Sequence, residues 1–97
     1  MRLKFSGEIW YWRGPSPFHF VTVPEEESQE LHAVSPSLSY GWGVIPVLAH
    51  VGKTSWKTSL FPKDGGYLVP IKAVVREVER LDLGDTVQIV LTIGATT

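Results

Sequence analysis

Residues 2–12 read RLKFSGEIWYW, a stretch in which apolar and polar side chains alternate. The residues that share one face are apolar: Leu3, Phe5, Ile9 and Tyr11. Successive side chains of a β-strand point to opposite faces, so this pattern predicts a strand that is buried on one side. Trp10 and Trp12 fall on the other face, which is therefore expected to become apolar near the end of the strand.

Five further segments, all of which follow this stretch along the chain, are predicted to be strands. They are residues 18–23, 44–51, 54–61, 67–69 and 86–93. The second is expected to form a hairpin with the first. Pro46 favours an edge position or a bulge, because proline cannot donate to a sheet. Gly52 and Lys53 fit a two-residue hairpin turn of type II′, and residues 62–66 form another turn by composition.

Two segments instead have the spacing of short helices, residues 24–34 and 70–80. The first begins with a proline and three glutamates, which suit the positive end of a helix dipole, and Leu31 and Val34 are expected to face inward. Residues 35–40 are interpreted as a loop. The second helix carries apolar residues at i, i+3, i+4 and i+7, which predicts that this stripe packs on the sheet. The stripe consists of Ile71, Val74, Val75 and Val78.

The order of these elements predicts a mainly β fold in one domain over residues 1–97. About six short strands with hairpin connections and two short helices favour a small β-barrel, closed or partly open. Closure of a barrel also removes exposed strand edges. An open sheet with both helices packed on one face is the alternative.

Composition excludes several classes of site and partner. The 97 residues include no cysteine, and nine Lys and Arg against ten Asp and Glu give a formal net charge of -1. Without cysteine, disulfides, Cys-ligated zinc, iron–sulfur clusters and thiol catalysis are excluded. General nucleic-acid binders gain most of their affinity by neutralising phosphates, so the near-neutral charge predicts no nucleic-acid partner.

No segment has the character of a membrane span or a secretion signal. The longest apolar run, residues 44–49, is far shorter than the roughly 20 residues of a membrane-spanning helix. Ser6 and Glu8 interrupt the region where a secretory signal would need a continuous apolar run. We therefore expect a cytoplasmic protein with no membrane partner.

Several motifs together resemble one known family. They are GWGVIPV at residues 41–47, WKTSLFP at residues 56–62, GYLVPIK at residues 66–72, and LGDTV at residues 83–87. This pattern is similar to the domain of unknown function 1905 family of bacteria and archaea, and the likeness covers nearly the whole chain. The resemblance implies a small β-barrel, and it implies no particular activity, substrate or cofactor.

The strongest candidate for a ligand site combines hydroxyl, basic and aromatic side chains. Its members are Trp56, Thr58, Ser59, Tyr67, Lys72 and Arg76. Lys72 and Arg76 are one helical turn apart in the second predicted helix, so both can reach one ligand. An arginine guanidinium binds a carboxylate or phosphate through two parallel hydrogen bonds. The two aromatic rings would supply flat apolar walls, so the set predicts a site for a small anion.

A structural interpretation of the same residues stays open. Arg76 is also able to pair with Asp85 or Asp64, as charged residues beside an apolar helix stripe commonly do. Thr58 and Ser59 are also able to satisfy backbone groups of the turn that follows them. The four tryptophans, at positions 10, 12, 42 and 56, are expected to fill the core or a barrel end. The alternative for them is an aromatic pocket or an exposed interaction patch.

No catalytic, metal or cofactor motif stands out. His19, His32 and His50 lie on separate predicted elements without the spacing of metal ligands. The chain has neither a phosphate-binding loop nor a dinucleotide fingerprint. We therefore predict no metal, no cofactor and no catalytic residue.

These observations lead to one functional hypothesis with two alternatives. The hypothesis is a non-enzymatic β-barrel module, monomeric or a small homo-oligomer, that binds a small anionic ligand or a protein partner. The first alternative is an enzyme or enzyme accessory that uses Lys72 and Arg76 as an anion clamp. The second is a nucleic-acid-binding barrel.

Overall fold

The computed structural model describes residues 1–14, 18–39, 41 and 43–94. The elements are β1 (Arg2–Trp12), β2 (Phe18–Thr22), α1 (Glu25–Leu38), β3 (Ile45–Val51), β4 (Thr54–Lys63), β5 (Gly66–Pro70), α2 (Ala73–Glu79) and β6 (Thr86–Ile93). Neighbouring strands are antiparallel and close into a barrel in the order β1-β2-β5-β4-β3-β6. The predicted six-stranded barrel with two helices is confirmed, and the open-sheet alternative is wrong.

Strand β1 is long enough to pair with two neighbours in succession. Its residues 2–8 pair with β6, and its residues 9–12 pair with β2. Near this change of partner, Gly7 stands against the buried side chain of Val21. A Cβ atom on Gly7 would lie 2.5 Å from Val21 Cγ1, which is too close for two carbon atoms. The missing side chain therefore permits the close approach of β1 and β2 at this corner of the barrel.

The hydrophobic core fills the inside of the barrel. From β1 it includes Leu3, Phe5 and Ile9, as the alternation predicts. Tyr11 was expected on the same buried face, but its side chain is 39% exposed. Tyr11 pairs with His19 near the tip of the β1–β2 hairpin, where the two strands extend past the core.

The two helices cover opposite ends of the barrel. β2 and β5 are antiparallel neighbours, so their carboxyl ends lie at opposite ends. α1 follows β2 and α2 follows β5 along the chain. Leu31 of α1 is 0% exposed and Val75 of α2 is 1% exposed, and both belong to the core. Each helix thus closes one end with an apolar side chain.

Helix α1 is longer than the sequence predicts. It continues to Leu38, so the interpretation of residues 35–38 as a loop was wrong, and Tyr40 lies outside the described residues. Pro36 lies inside the last turn of the helix, where it removes one backbone hydrogen bond. Leu38 packs against the core, and this burial favours continuing the helix past the proline.

Helix α2 is shorter than predicted, and half of its proposed apolar stripe faces solvent. Pro70 pairs with Phe20 as part of β5, and the helix begins only at Ala73. Val74 is 59% exposed and Val78 is 62% exposed, so the prediction that they pack on the barrel was wrong. Ile71 is buried, but it precedes the helix. Val75 is the one buried residue of this two-turn helix.

Two tight turns connect β3, β4 and β5. The loop between β3 and β4 has two residues, and its first residue, Gly52, has a φ of 58°, as the predicted turn requires. Between β4 and β5, Asp64 and Gly65 have φ values of 51° and 81°. Positive φ at both central residues defines a type I′ turn, for which Asp-Gly is favoured. β4 therefore extends to Lys63, two residues beyond its predicted end at residue 61.

Candidate functional site

Two of the six predicted ligand-binding residues lie in the barrel core. Trp56 is 7% exposed, and its indole Nε1 donates to the carbonyl oxygen of Pro70 at 3.2 Å. Tyr67 is 2% exposed, and its hydroxyl lies 3.5 Å from Nδ1 of His32. Both side chains fill space inside the barrel and hold neighbouring elements together.

The two hydroxyl residues are consecutive in β4, so their side chains point to opposite faces of the strand. Thr58 lines a surface pocket of about 300 Å³ with Lys57, Leu48 and Thr92 among its other lining residues. Ser59 is half-buried and pairs with Pro46 of β3. Neither hydroxyl residue lines the pocket beside Arg76.

The basic residues are brought together in a different combination from the one predicted. Lys72 is exposed and immediately precedes α2, whereas Arg76 is half-buried in the last turn of that helix. A pocket of about 310 Å³ beside Arg76 is lined by Arg80 and Leu81, together with two carboxylate residues. None of the other five predicted residues lines this pocket, so a single site formed by all six stays a prediction.

The Arg76 guanidinium has no counter-ion among the residues that the structure describes. No carboxylate oxygen there lies within 4.0 Å of it, and its buried Nε atom has no hydrogen-bond partner. Asp85 accepts a hydrogen bond from the backbone of Asp82 at 2.8 Å, and Asp64 lies 3.6 Å from the Lys63 ammonium. The two ion pairs considered as structural roles for Arg76 are therefore not formed.

His19 lies close enough to Arg76 for their charges to interact. Burial lowers the pKa of the His19 imidazole from its ordinary value of 6.5, and repulsion by Arg76 lowers it further. The His19 carbonyl accepts a hydrogen bond from Ile71 N at 2.9 Å, which ties β2 to the segment that leads into α2. The Tyr11 ring lies 4.9 Å from the His19 ring. This end of the barrel therefore favours a neutral imidazole beside a positive guanidinium.

The lowered pKa of His19 predicts a pH-dependent stability. The unfolded chain takes up the His19 proton more readily than the folded protein, so the free energy of unfolding should fall as the pH falls through 6.5 towards the folded pKa. His19→Gln should remove this contribution, and Arg76→Gln should reduce it without abolishing it, because burial is the larger cause. Urea unfolding between about pH 5 and pH 8 measures these slopes. Identical slopes for wild type and His19→Gln would contradict this explanation.

A continuous group of apolar side chains covers part of the outside of the barrel. This aromatic surface is formed by Trp10, Trp12, Phe18, Phe20, Phe61 and Leu68. Phe20 is its centre: its ring centroid lies 5.6 Å from Trp10, 5.9 Å from Phe18 and 6.4 Å from Phe61. Phe20 and Leu68 are 7% and 5% exposed, yet neither belongs to the core inside the barrel. The outer side of the sheet therefore carries an apolar cluster of its own.

A groove on the aromatic surface combines apolar walls with one positive charge. It has a volume of about 300 Å³, and its lining includes Trp12, Phe20 and Phe61. The Lys63 ammonium lies 4.2 Å from the centroid of a Trp12 ring, the geometry of a cation–π contact. Lys63 is the one charged residue among those that line the groove in the described part of the chain.

The comparisons with known proteins identify the family. The model of a domain of unknown function, DUF1905, matches residues 5–91. The chain belongs to the DUF1905 family. No curated protein matches it. The match begins in β1 and ends in β6, so the resemblance drawn from the sequence motifs is confirmed for nearly the whole DUF1905 chain.

The tryptophans of this DUF1905 barrel divide between its inside and its outside. Trp56 packs in the core, which agrees with one of its two predicted roles. Trp10 and Trp12 lie half-buried on the outer face, so the expectation that they fill the core or a barrel end was wrong. Trp42 lies outside the described residues. The alternation in β1 had already placed Trp10 and Trp12 on the face opposite the core. This alternation was the sequence signal from which part of the aromatic surface could be predicted. Phe61 and Lys63 were missed, because only the barrel brings β4 beside the β1–β2 hairpin.

The described part of the DUF1905 structure contains neither a metal-binding cluster nor a membrane-spanning helix. Within the described residues, no group of three or more His, Asp or Glu side chains is placed to hold a metal ion. In the same part of the chain, neither α1 nor α2 has the length and apolar character needed to cross a membrane. The cytoplasmic location stays a prediction.

Proposed function

We propose that this DUF1905 domain is a non-catalytic binding module that docks a segment of a protein partner on its aromatic surface. The segment would place an apolar side chain in the groove and a carboxylate beside Lys63. The observation that carries the proposal is the position of Phe20. It is buried outside the core, at the centre of linked aromatic rings that extend to the exposed side chains of Phe18 and Phe61.

The exposed members of the aromatic surface support docking. Phe18 is 48% exposed and Phe61 is 43% exposed. Large contiguous apolar patches on soluble proteins mark interaction sites, and Trp, Tyr and Phe are enriched where proteins bind each other. Burying these rings against a partner would remove apolar area from water without rearranging the barrel, because the rings are already held by their neighbours.

The charge at the groove favours an acidic partner. The Lys63 ammonium lies 3.6 Å from the carboxylate of Asp64. The Asp64 side chain is 86% exposed, and exposed pairs contribute little to stability, so a partner carboxylate can take its place. The same charge argues against nucleic acid as the occupant. Stacked bases can bind aromatic rings, but binding of a nucleic-acid strand also needs several cations along its backbone, and the described residues supply one to this groove.

Selection from a displayed library of random peptides tests the proposal. We expect wild type to enrich peptides with a large apolar residue next to Asp or Glu. Phe61→Ser should weaken binding of the selected peptides at least about tenfold, as truncation of a central interface residue commonly does. The matched control is Leu48→Ser, because Leu48 is 42% exposed on β3 and does not line the groove. This control should bind as wild type does.

A second variant tests the role of the Lys63 charge, and three results would contradict the proposal. Lys63→Glu should reverse the preference from acidic to basic peptides, and an unchanged preference would disprove the role of Lys63. Failure to enrich any peptide, or equal losses in Phe61→Ser and Leu48→Ser, would disprove docking on the aromatic surface. Tighter binding of an oligothymidylate single strand than of the selected peptides, at physiological salt, would assign the surface to nucleic acid.

A further inference from the structure

We propose a second binding site, independent of the aromatic surface, in which Arg76 and Arg80 bind the carboxylate group of a small molecule in the pocket beside α2. The lining of this pocket brings together two guanidinium groups with the apolar side chain of Leu81. Nothing in the proposed docking function requires these residues. The site lies near the barrel end that α2 covers, whereas the aromatic surface lies on the outer face of the strands.

Arg76 carries a charge that is partly shielded from water and has no counter-ion among the described residues. Its side chain is half-buried, and its Nε atom is shielded from water without a hydrogen-bond partner in the described part of the protein. A buried polar group without a partner is costly, and partial burial strengthens attraction to an opposite charge. A bound oxyanion would compensate this charge from the pocket side.

Two acidic residues near Arg76, Glu79 and Asp85, form hydrogen bonds with other groups. Glu79, on the same helix, accepts hydrogen bonds from the Lys53 backbone and the Thr54 hydroxyl of the β3–β4 hairpin. Asp85 is bonded to the backbone of Asp82. These contacts fix α2 and the following turn without neutralising Arg76.

The two acidic residues in the lining of the pocket favour a ligand with a single negative charge. Glu77 and Asp82 also line the pocket, but neither has an oxygen within 4.0 Å of an arginine nitrogen. Their charges repel a dianion more strongly than a monoanion. A planar carboxylate matches the geometry of a guanidinium and carries a single charge. The pocket volume of about 310 Å³ lies at the lower end of the range for small-molecule sites.

Thermal unfolding in sodium acetate, compared with sodium chloride at the same ionic strength, tests this site. Acetate well above its Kd should raise the Tm of wild type by roughly 5 °C relative to chloride. Arg76→Gln should abolish the difference between the two salts. Lys57→Gln is the matched control, because Lys57 is an exposed basic residue of β4 that does not line the pocket. This variant should retain the difference.

A second readout does not depend on the stability of the variants. His19 is repelled by Arg76, so a carboxylate bound to Arg76 should raise the pKa of His19, as followed by NMR titration in acetate and in chloride. Equal Tm values and equal His19 titrations in the two salts would overturn the proposal. An acetate effect that persists in Arg76→Gln would also overturn it. A larger stabilisation by inorganic phosphate than by acetate would disprove the carboxylate preference. Peptide binding on the aromatic surface is unaffected by any of these results.

Discussion

Val75→Asp is expected to lower the free energy of unfolding by about 3–5 kcal/mol, the range found when an uncompensated charge is left in a protein interior. Val75 is 1% exposed and is the one buried residue of α2. The introduced carboxyl group would face the apolar end of the barrel, so its pKa should rise and the loss should be smaller in acid. Urea unfolding at neutral and acidic pH measures both effects.

Neighbouring valines on the same helix supply the control for this experiment. Val74 and Val78 are 59% and 62% exposed, so Val74→Asp and Val78→Asp should change the free energy of unfolding by less than about 0.5 kcal/mol. The three substitutions introduce the same group into the same two-turn helix. Similar losses in all three variants would show that helix propensity, and not contact with the core, controls the stability of α2.

Leu31→Ala should cost about 2–5 kcal/mol, the usual range for removing a buried leucine side chain. Leu31 is 0% exposed and belongs to the core, where it closes the barrel end covered by α1. The substitution leaves a cavity at that end, and we expect earlier urea unfolding together with faster amide exchange in α1.

The control for Leu31→Ala is Glu30→Ala, one residue earlier on the same helix. Glu30 is exposed, and alanine is at least as good a helix former, so the free energy of unfolding should stay within about 0.5 kcal/mol of wild type. If the two variants unfold at the same urea concentration, α1 does not contribute its leucine to the core.

Strands with strict alternation were predictable from the sequence alone. β1 and β6 have the predicted bounds, residues 2–12 and 86–93. In such strands one face is buried along most of the length, so a shift by one residue would expose every apolar side chain. Local sequence therefore determines both the strand and its orientation. Tyr11 departs from this pattern because the hairpin continues beyond the core, and strand length relative to the barrel is not visible in the alternation.

The second helix shows where periodicity alone is insufficient. Ile71, Val74, Val75 and Val78 have the spacing of one helical face, yet two of the four face solvent. The spacing does not determine where the helix begins. Because Pro70 pairs with β2 as part of β5, the helix begins only at Ala73. Tertiary contacts thus reduced a predicted three-turn helix to two turns and changed the face that is buried.

The candidate sites could not be predicted fully from the sequence, because they depend on how distant segments pack together. Trp56 and Tyr67 were assigned to a ligand because aromatic rings suit binding sites, but the same rings also fill cores. The aromatic surface combines residues of β1, β2, β4 and β5, and only the closed register places them side by side. Arg76 was singled out because it lies one helical turn after Lys72, whereas the pocket combines it with Arg80 at the end of α2.

The pairing of β1 with β6 also determines when this protein can fold. Residues 2–8 have their partners in residues 86–92, near the other end of the described chain, whereas β1–β2, β3–β4 and β4–β5 are local hairpins. Contacts so distant along the chain make folding slow, because a long loop must close before they form. During synthesis, residues 2–8 of β1 remain unpaired until β6 has left the ribosome. The newly made chain therefore presents an unpaired strand to its surroundings while the segment between residue 8 and residue 86 is translated.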